Sequence, residues 1–148
     1  MKRFSIPLGL ALAALTVLTT GTPAEAGDRP FNASGGGTLD RDGVLRGTGE
    51  VMHLGLSSFR MTLDPDQLPN GNFFPGTGFF NSASRDVLYF RMESIEGDGS
   101  GALVFITRLT FIGGSGRFRD ATGSADVMFV FDADFQECLM LIDGSIDY

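Results

Sequence analysis

Short apolar stretches separated by Gly, Asp, Asn and Pro recur along residues 27–148, and within them apolar and polar positions alternate with a period of two. Over 124–134, Ala125, Val127, Phe129, Phe131 and Ala133 fall on one side, with Ser124, Asp126, Asp132 and Asp134 on the other. Leu88, Phe90 and Met92 alternate with Arg91 and Glu93 in 87–95. Phe59, Met61 and Leu63 alternate with Ser58, Arg60 and Thr62 in 57–63. Residues 137–147 set Cys138, Met140, Ile142 and Ile146 on one face. This is the period of half-buried β-strands, and no amphipathic helical period interrupts it. Residues 102–112 are apolar at both parities, which predicts a strand covered on both sides. With a Gly-rich strand near 33–39 and others at 44–54 and 77–83, the pattern predicts about eight strands. Eight antiparallel strands are enough to close a barrel whose interior is filled by side chains or holds one small ligand. The expected fold is therefore an all-β, eight-stranded antiparallel barrel in a single domain.

The turns fit this order. Asp40-Arg41-Asp42-Gly43 and Gly97-Asp98-Gly99-Ser100-Gly101 read as tight and flexible connections, and Asp132-Ala133-Asp134-Phe135 leads into a hairpin. The connection from Asp64 to Gly76 is longer and carries Pro65, Pro69 and Pro75 around Phe73 and Phe74. Loops of this length in a compact domain are often functional. Phe73 and Phe74 are expected either to plug one end of the barrel or to form a lid over a ligand mouth.

The first 26 residues carry a different pattern. Lys2 and Arg3 precede an apolar run from Ile6 to Leu18, and Ala24-Glu25-Ala26 supplies the small-x-small site of a signal peptidase. The run is shorter than the roughly 20 residues of a membrane span. Residues 1–26 are thus expected to be a cleaved signal peptide, and 27–148 the mature domain, periplasmic or secreted by a bacterium. No cysteine follows the cut to carry a lipid.

Composition narrows the partners. Residues 27–148 hold 9 basic and 17 acidic side chains, a net charge of −8. Such a surface repels phosphate backbones and anionic lipid, which argues against nucleic-acid and membrane binding. Cys138 is the single cysteine, so no intramolecular disulfide can form, and its apolar neighbours predict a buried, unreactive thiol. Packing must carry stability, chiefly through the 14 phenylalanines, one of which lies in the leader.

The most distinctive stretch is Phe111-Ile112-Gly113-Gly114-Ser115-Gly116-Arg117-Phe118-Arg119-Asp120-Ala121-Thr122-Gly123. It reads as a strand, a glycine turn, one turn pinned by Phe118 and Ala121, and a second turn at Gly123 into the next strand. It is neither a dinucleotide fingerprint, since position 119 is Arg, nor a Walker loop, since no Gly-Lys-Ser/Thr is present, and a strand follows where both need a helix. The stretch resembles the Gly-Gly-Thr-Gly-x-Phe-x-x-Ala-x-Gly signature of dirigent proteins and the related allene oxide cyclases, with Ser115 in place of Thr. The chain also resembles a group of small secreted bacterial proteins over nearly its whole mature length, through this signature, His53-Leu54-Gly55 and Asp86-Val87-Leu88-Tyr89. With the plant families the likeness covers about 13 residues and the strand count. The resemblance implies an eight-stranded barrel, often oligomeric in the plant members, with Gly113, Gly114, Gly116, Phe118, Ala121 and Gly123 as its motif. The plant families' catalytic acids have no counterparts here that can be placed residue by residue.

Candidate chemistry is sparse. His53, the only histidine, shares parity with Leu45 and Val51, so it either points inward as a base or ligand holder or is satisfied by a backbone carbonyl near Gly55. One His with no second His or Cys makes zinc improbable, and Asp40-x-Asp42 lacks the Glu of a calcium loop, since position 51 is Val. No Gly-x-Ser-x-Gly elbow is present. No metal and no cofactor is therefore expected. Three functions stay open: a barrel binding a small apolar or amphipathic molecule, a cofactor-independent cyclase or dirigent-like coupling protein, and a packed structural or protein-interaction barrel. A homo-oligomer is compatible with each.

Overall fold

Eight strands follow one another around a single closed antiparallel barrel: β1 (Arg29–Leu39), β2 (Val44–Val51), β3 (Gly55–Leu63), β4 (Gly76–Ser82), β5 (Val87–Ser94), β6 (Val104–Gly114), β7 (Thr122–Phe131) and β8 (Glu137–Asp147). β8 pairs back onto β1 from Arg29↔Ile146 to Thr38↔Glu137, so no edge is left open among the described strands. The structure is a computed structural model that describes residues 28–63, 76–94 and 104–148. Segments 1–27, 64–75 and 95–103 lie outside the described residues, and with them the expected leader, the Gly97–Gly101 turn and both Phe73 and Phe74.

The alternation read from the sequence sets the inner face. Phe59, Met61 and Leu63 are buried on β3, Leu88, Phe90 and Met92 on β5, Ala125, Val127, Phe129 and Phe131 on β7, and Cys138, Met140, Ile142 and Ile146 on β8, all in one apolar cluster. Phe80 lies at the centre, 4.9 Å from Phe90, 6.3 Å from Phe31 and 6.4 Å from Phe59, ring centre to ring centre. The glycines of β1, β2 and β4 make room for these rings. A Cβ at Gly47 would come within 2.6 Å of Phe59 Cζ, and one at Gly78 within 2.6 Å of Phe90 Cζ. Large residues on one strand thus face glycine on its neighbours, which is how a small barrel fills its interior.

Two expectations need correction. β6 is covered on one side only: Leu109 and Phe111 are buried, whereas Ile106 and Ile112 face outward and are exposed. Apolar residues at both parities here reflect an apolar outer surface, not a second covering layer. Ala133 does not continue the inner face of β7, because the strand ends at Phe131. Asp132 Oδ1 accepts the N–H groups of Gln136 (2.8 Å) and Glu137 (3.1 Å), turning the chain into β8.

Antiparallel order places the connections at two rims. One rim holds residues 52–54 and 83–86, the stretch between β6 and β7, and the end of β8; the other holds the 40–43 and 132–136 turns and the strand ends Leu63, Gly76, Ser94 and Val104.

Candidate functional site

The first rim is built by the glycine-rich stretch. β6 carries one extra residue at Ile112–Gly113, where pairing with β5 shifts from Phe90↔Phe111 to Leu88↔Gly114. Gly113 takes a φ of 102° to make this bulge, a region that L side chains avoid. Ser115 then grips Val87 twice: its N–H donates to the Val87 carbonyl (2.8 Å), and its Oγ accepts the Val87 N–H (3.0 Å). The second bond needs a side-chain acceptor close to the backbone, and the β-hydroxyl of Ser supplies it as that of Thr could. A single 3-10 turn, Gly116–Phe118, follows and drops Phe118 into the barrel mouth with Ala121 behind it, both buried. Gly123 lies on β7 at a φ of 123°.

Around this plug the rim is tied together. Arg117 Nε pairs with Asp86 Oδ2 at 3.3 Å, and Arg117 also donates to the His53 carbonyl. The Tyr148 ring lies 4.6 Å from that of Phe118, tilted by 50°, with the Arg29 guanidinium 4.5 Å over the Tyr148 ring. The motif residues therefore act together as a structural closure.

β2 ends at Val51, so His53 does not inherit the parity of Leu45 and Val51. It sits in the 52–54 turn at a φ of 71°, partly exposed. Its Nε2 hydrogen-bonds the Pro30 carbonyl at 2.8 Å, and its ring lies 5.6 Å from Tyr148. The histidine is satisfied by a backbone carbonyl, that of Pro30 and not one near Gly55.

The inner face offers little chemistry. Its buried polar groups are hydroxyls already bonded: Thr107 Oγ1 to the Glu93 carbonyl (2.5 Å), Ser57 Oγ to the Gly55 carbonyl (3.1 Å), and Ser82 Oγ to Ser84 (2.8 Å). Cys138 is the one titratable side chain among the buried residues described. Burial pushes its thiol up to about 11, so at neutral pH it stays protonated and a poor nucleophile. Among the described residues no three His, Cys, Asp or Glu side chains gather as metal ligands. Asp40 makes a turn, its Oδ1 accepting the N–H groups of Asp42 (3.0 Å) and Val44 (2.9 Å). The Val44 bond, with the Arg46 pair, holds its carboxyl below the usual range.

The outer wall is different, and alternation alone did not single it out. Cross-strand register aligns Val104, Val130 and Leu139 in one row across β6, β7 and β8, and Ile106, Met128 and Leu141 in the next. Ile106 is 43% exposed, Val130 37%, Leu139 65% and Leu141 51%. The third row is charged: Arg108, Asp126 and Asp143, with Arg108 Nε bonded to Asp126 Oδ1 at 2.9 Å. On the far side of the apolar rows stand Glu137 and Asp132, both exposed. β1 beside β8 is low, because Gly36 lies opposite Leu139 and Ser34 opposite Leu141. Open grooves of about 500 and 510 Å³ result, one over Gly36, Thr38 and Leu139, the other over Ser34, Glu50 and Leu141. The missing signal was register: outward apolar residues on three separate strands become a patch only once their pairing is known.

Comparison with family profiles, curated proteins and solved structures returns no match.

Proposed function

We propose that this protein is an exported, non-catalytic interaction barrel that works through its outer wall, with β6, β7 and β8 forming the docking face. The observation that carries this reading is the pair of aligned apolar rows, six side chains on three adjacent strands, edged by charge on both sides. Exposed contiguous apolar surface of this kind marks interaction sites on proteins that otherwise keep it covered. An apolar centre with a charged rim is also the usual anatomy of a protein interface. The interior favours this reading over the other two. A small ligand would have to displace side chains that already fill the described part of the barrel, and close-packed interiors resist this. A cyclase or coupling protein needs an inward acid, base or hydroxyl free to act, and the buried hydroxyls are engaged.

The test is site-specific photo-crosslinking in the cells that export the protein. A photoreactive side chain at Leu141 is expected to capture protein, whereas the same group at Ser58, exposed on the opposite wall, captures none. Equal capture from both positions, or none from Leu141, would contradict the reading.

A further inference from the structure

The arrangement of charge beside the apolar rows says what the wall fits. Taken across β6, β7 and β8, the charged row reads plus, minus, minus: Arg108, Asp126, Asp143. A second copy facing this wall, related by a two-fold axis parallel to β7, lays β6 over the partner's β8 and β7 over the partner's β7. The apolar rows then meet each other. Val104 and Ile106 face Leu139 and Leu141 of the partner subunit, and Val130 and Met128 face their own equivalents. In the charged row, Arg108 faces the partner's Asp143, and Asp143 faces the partner's Arg108. Asp126 meets its own equivalent, but each is already neutralised by Arg108 of its own chain at 2.9 Å. The face is thus self-complementary in both hydrophobicity and charge, as an isologous interface requires.

We infer that the outer wall of β6, β7 and β8 pairs with a second copy of this chain, with reciprocal Arg108–Asp143 contacts across the two-fold axis. This rests on the reading of the wall as a docking face and names its occupant. A foreign apolar partner would need neither the order of charges nor their reversal between β6 and β8. A patch three strands wide, at about 4.8 Å per strand, lies at the small end of stable interfaces. Dimerisation is therefore expected to depend on concentration. Because each copy is acidic, salt that screens net repulsion opposes the weakening that screening of the Arg108–Asp143 contacts brings.

Sedimentation velocity of the exported chain over a concentration series tests this. Wild type is expected to run as monomer and dimer in reversible exchange. Leu139→Lys should abolish the dimer. Asp143→Arg sets arginine against the partner's Arg108 and should weaken the dimer about tenfold or more. Arg108→Asp combined with Asp143→Arg reverses both charges and should restore the dimer, while Asp126 keeps an arginine beside it on β8 instead of β6. Circular dichroism of each variant checks that the barrel has folded. A dimer that forms equally well in Leu139→Lys, or a double variant no better than Asp143→Arg alone, would overturn the inference. So would a wild-type chain that stays monomeric throughout. In that last case, capture of a different protein from Leu141 would still uphold the docking face, whereas no capture would remove both.

Discussion

Cys138 is a thiol held on the inner face between β7 and β1, where burial raises its pKa from 9.0 to about 11. The consequence is a loss of stability in alkali. Above pH 9 the unfolded chain ionises this thiol and the folded chain does not, so the unfolded state gains. Stability falls from about pH 9 to about 11 and then levels as the folded thiol also ionises. Denaturant melts of wild type and Cys138→Ala across this range should differ in slope, with the variant flatter. Asp40 has the opposite sign: its lowered pKa contributes stability above the usual carboxylate range that is lost as acid protonates it. Glycines divide by face. Gly47→Ala would set a methyl 2.6 Å from Phe59 Cζ and 2.1 Å from the Gly36 carbonyl oxygen, and should cost about 1–3 kcal/mol. Gly36→Ala points outward, meets nothing closer than 3.4 Å, and should leave the melting temperature nearly unchanged. The sequence contains both glycines in one recurring pattern, and only the pairing partner tells them apart. His53 was less legible for a related reason: parity holds only while a strand continues, and β2 stops two residues before it.

At the level of elements, the strands were readable because each carries its own inner face, and a one-residue slip would expose all of it. That reasoning placed β3, β5, β7 and β8 with their buried residues. It failed on β6, whose outward isoleucines imitate a buried face, and at Ala133, where Asp132 turns the chain before the alternation is spent. The connection between β6 and β7 was readable in part: the glycine turn and the anchoring by buried Phe118 and Ala121 are as expected, but the second turn falls at 119–120, and Gly123, expected to make it, lies inside β7. The connection's grip on β5 was not readable, because Val87 is 28 residues from Ser115. Phe118→Ala should uncap the rim and cost about 3–5 kcal/mol by equilibrium denaturation. Ser115→Ala should cost about 1–3 kcal/mol by leaving the Val87 N–H without its partner, and Ser115→Thr should cost little. If Ala and Thr behaved alike at this position, the clasp would not be the reason for the hydroxyl.

For the whole molecule, an acidic exterior and an apolar wall pull in different directions. Seventeen acidic against nine basic side chains in residues 27–148 favour repulsion between copies, and the proposed docking face sets two apolar rows against that repulsion. Closure of β8 onto β1 leaves no free edge among the described strands, so a partner on the proposed docking face would meet side chains and not an open backbone edge. On the proposed reading the interior contributes stability and the exterior recognition, and the most direct test is whether anything other than protein belongs to the folded molecule. Native mass spectrometry of the protein purified from its native cells, set against its denatured mass, measures this. The account predicts masses of one and two bare chains with nothing added. A folded monomer carrying a small organic mass that is released on unfolding would contradict it.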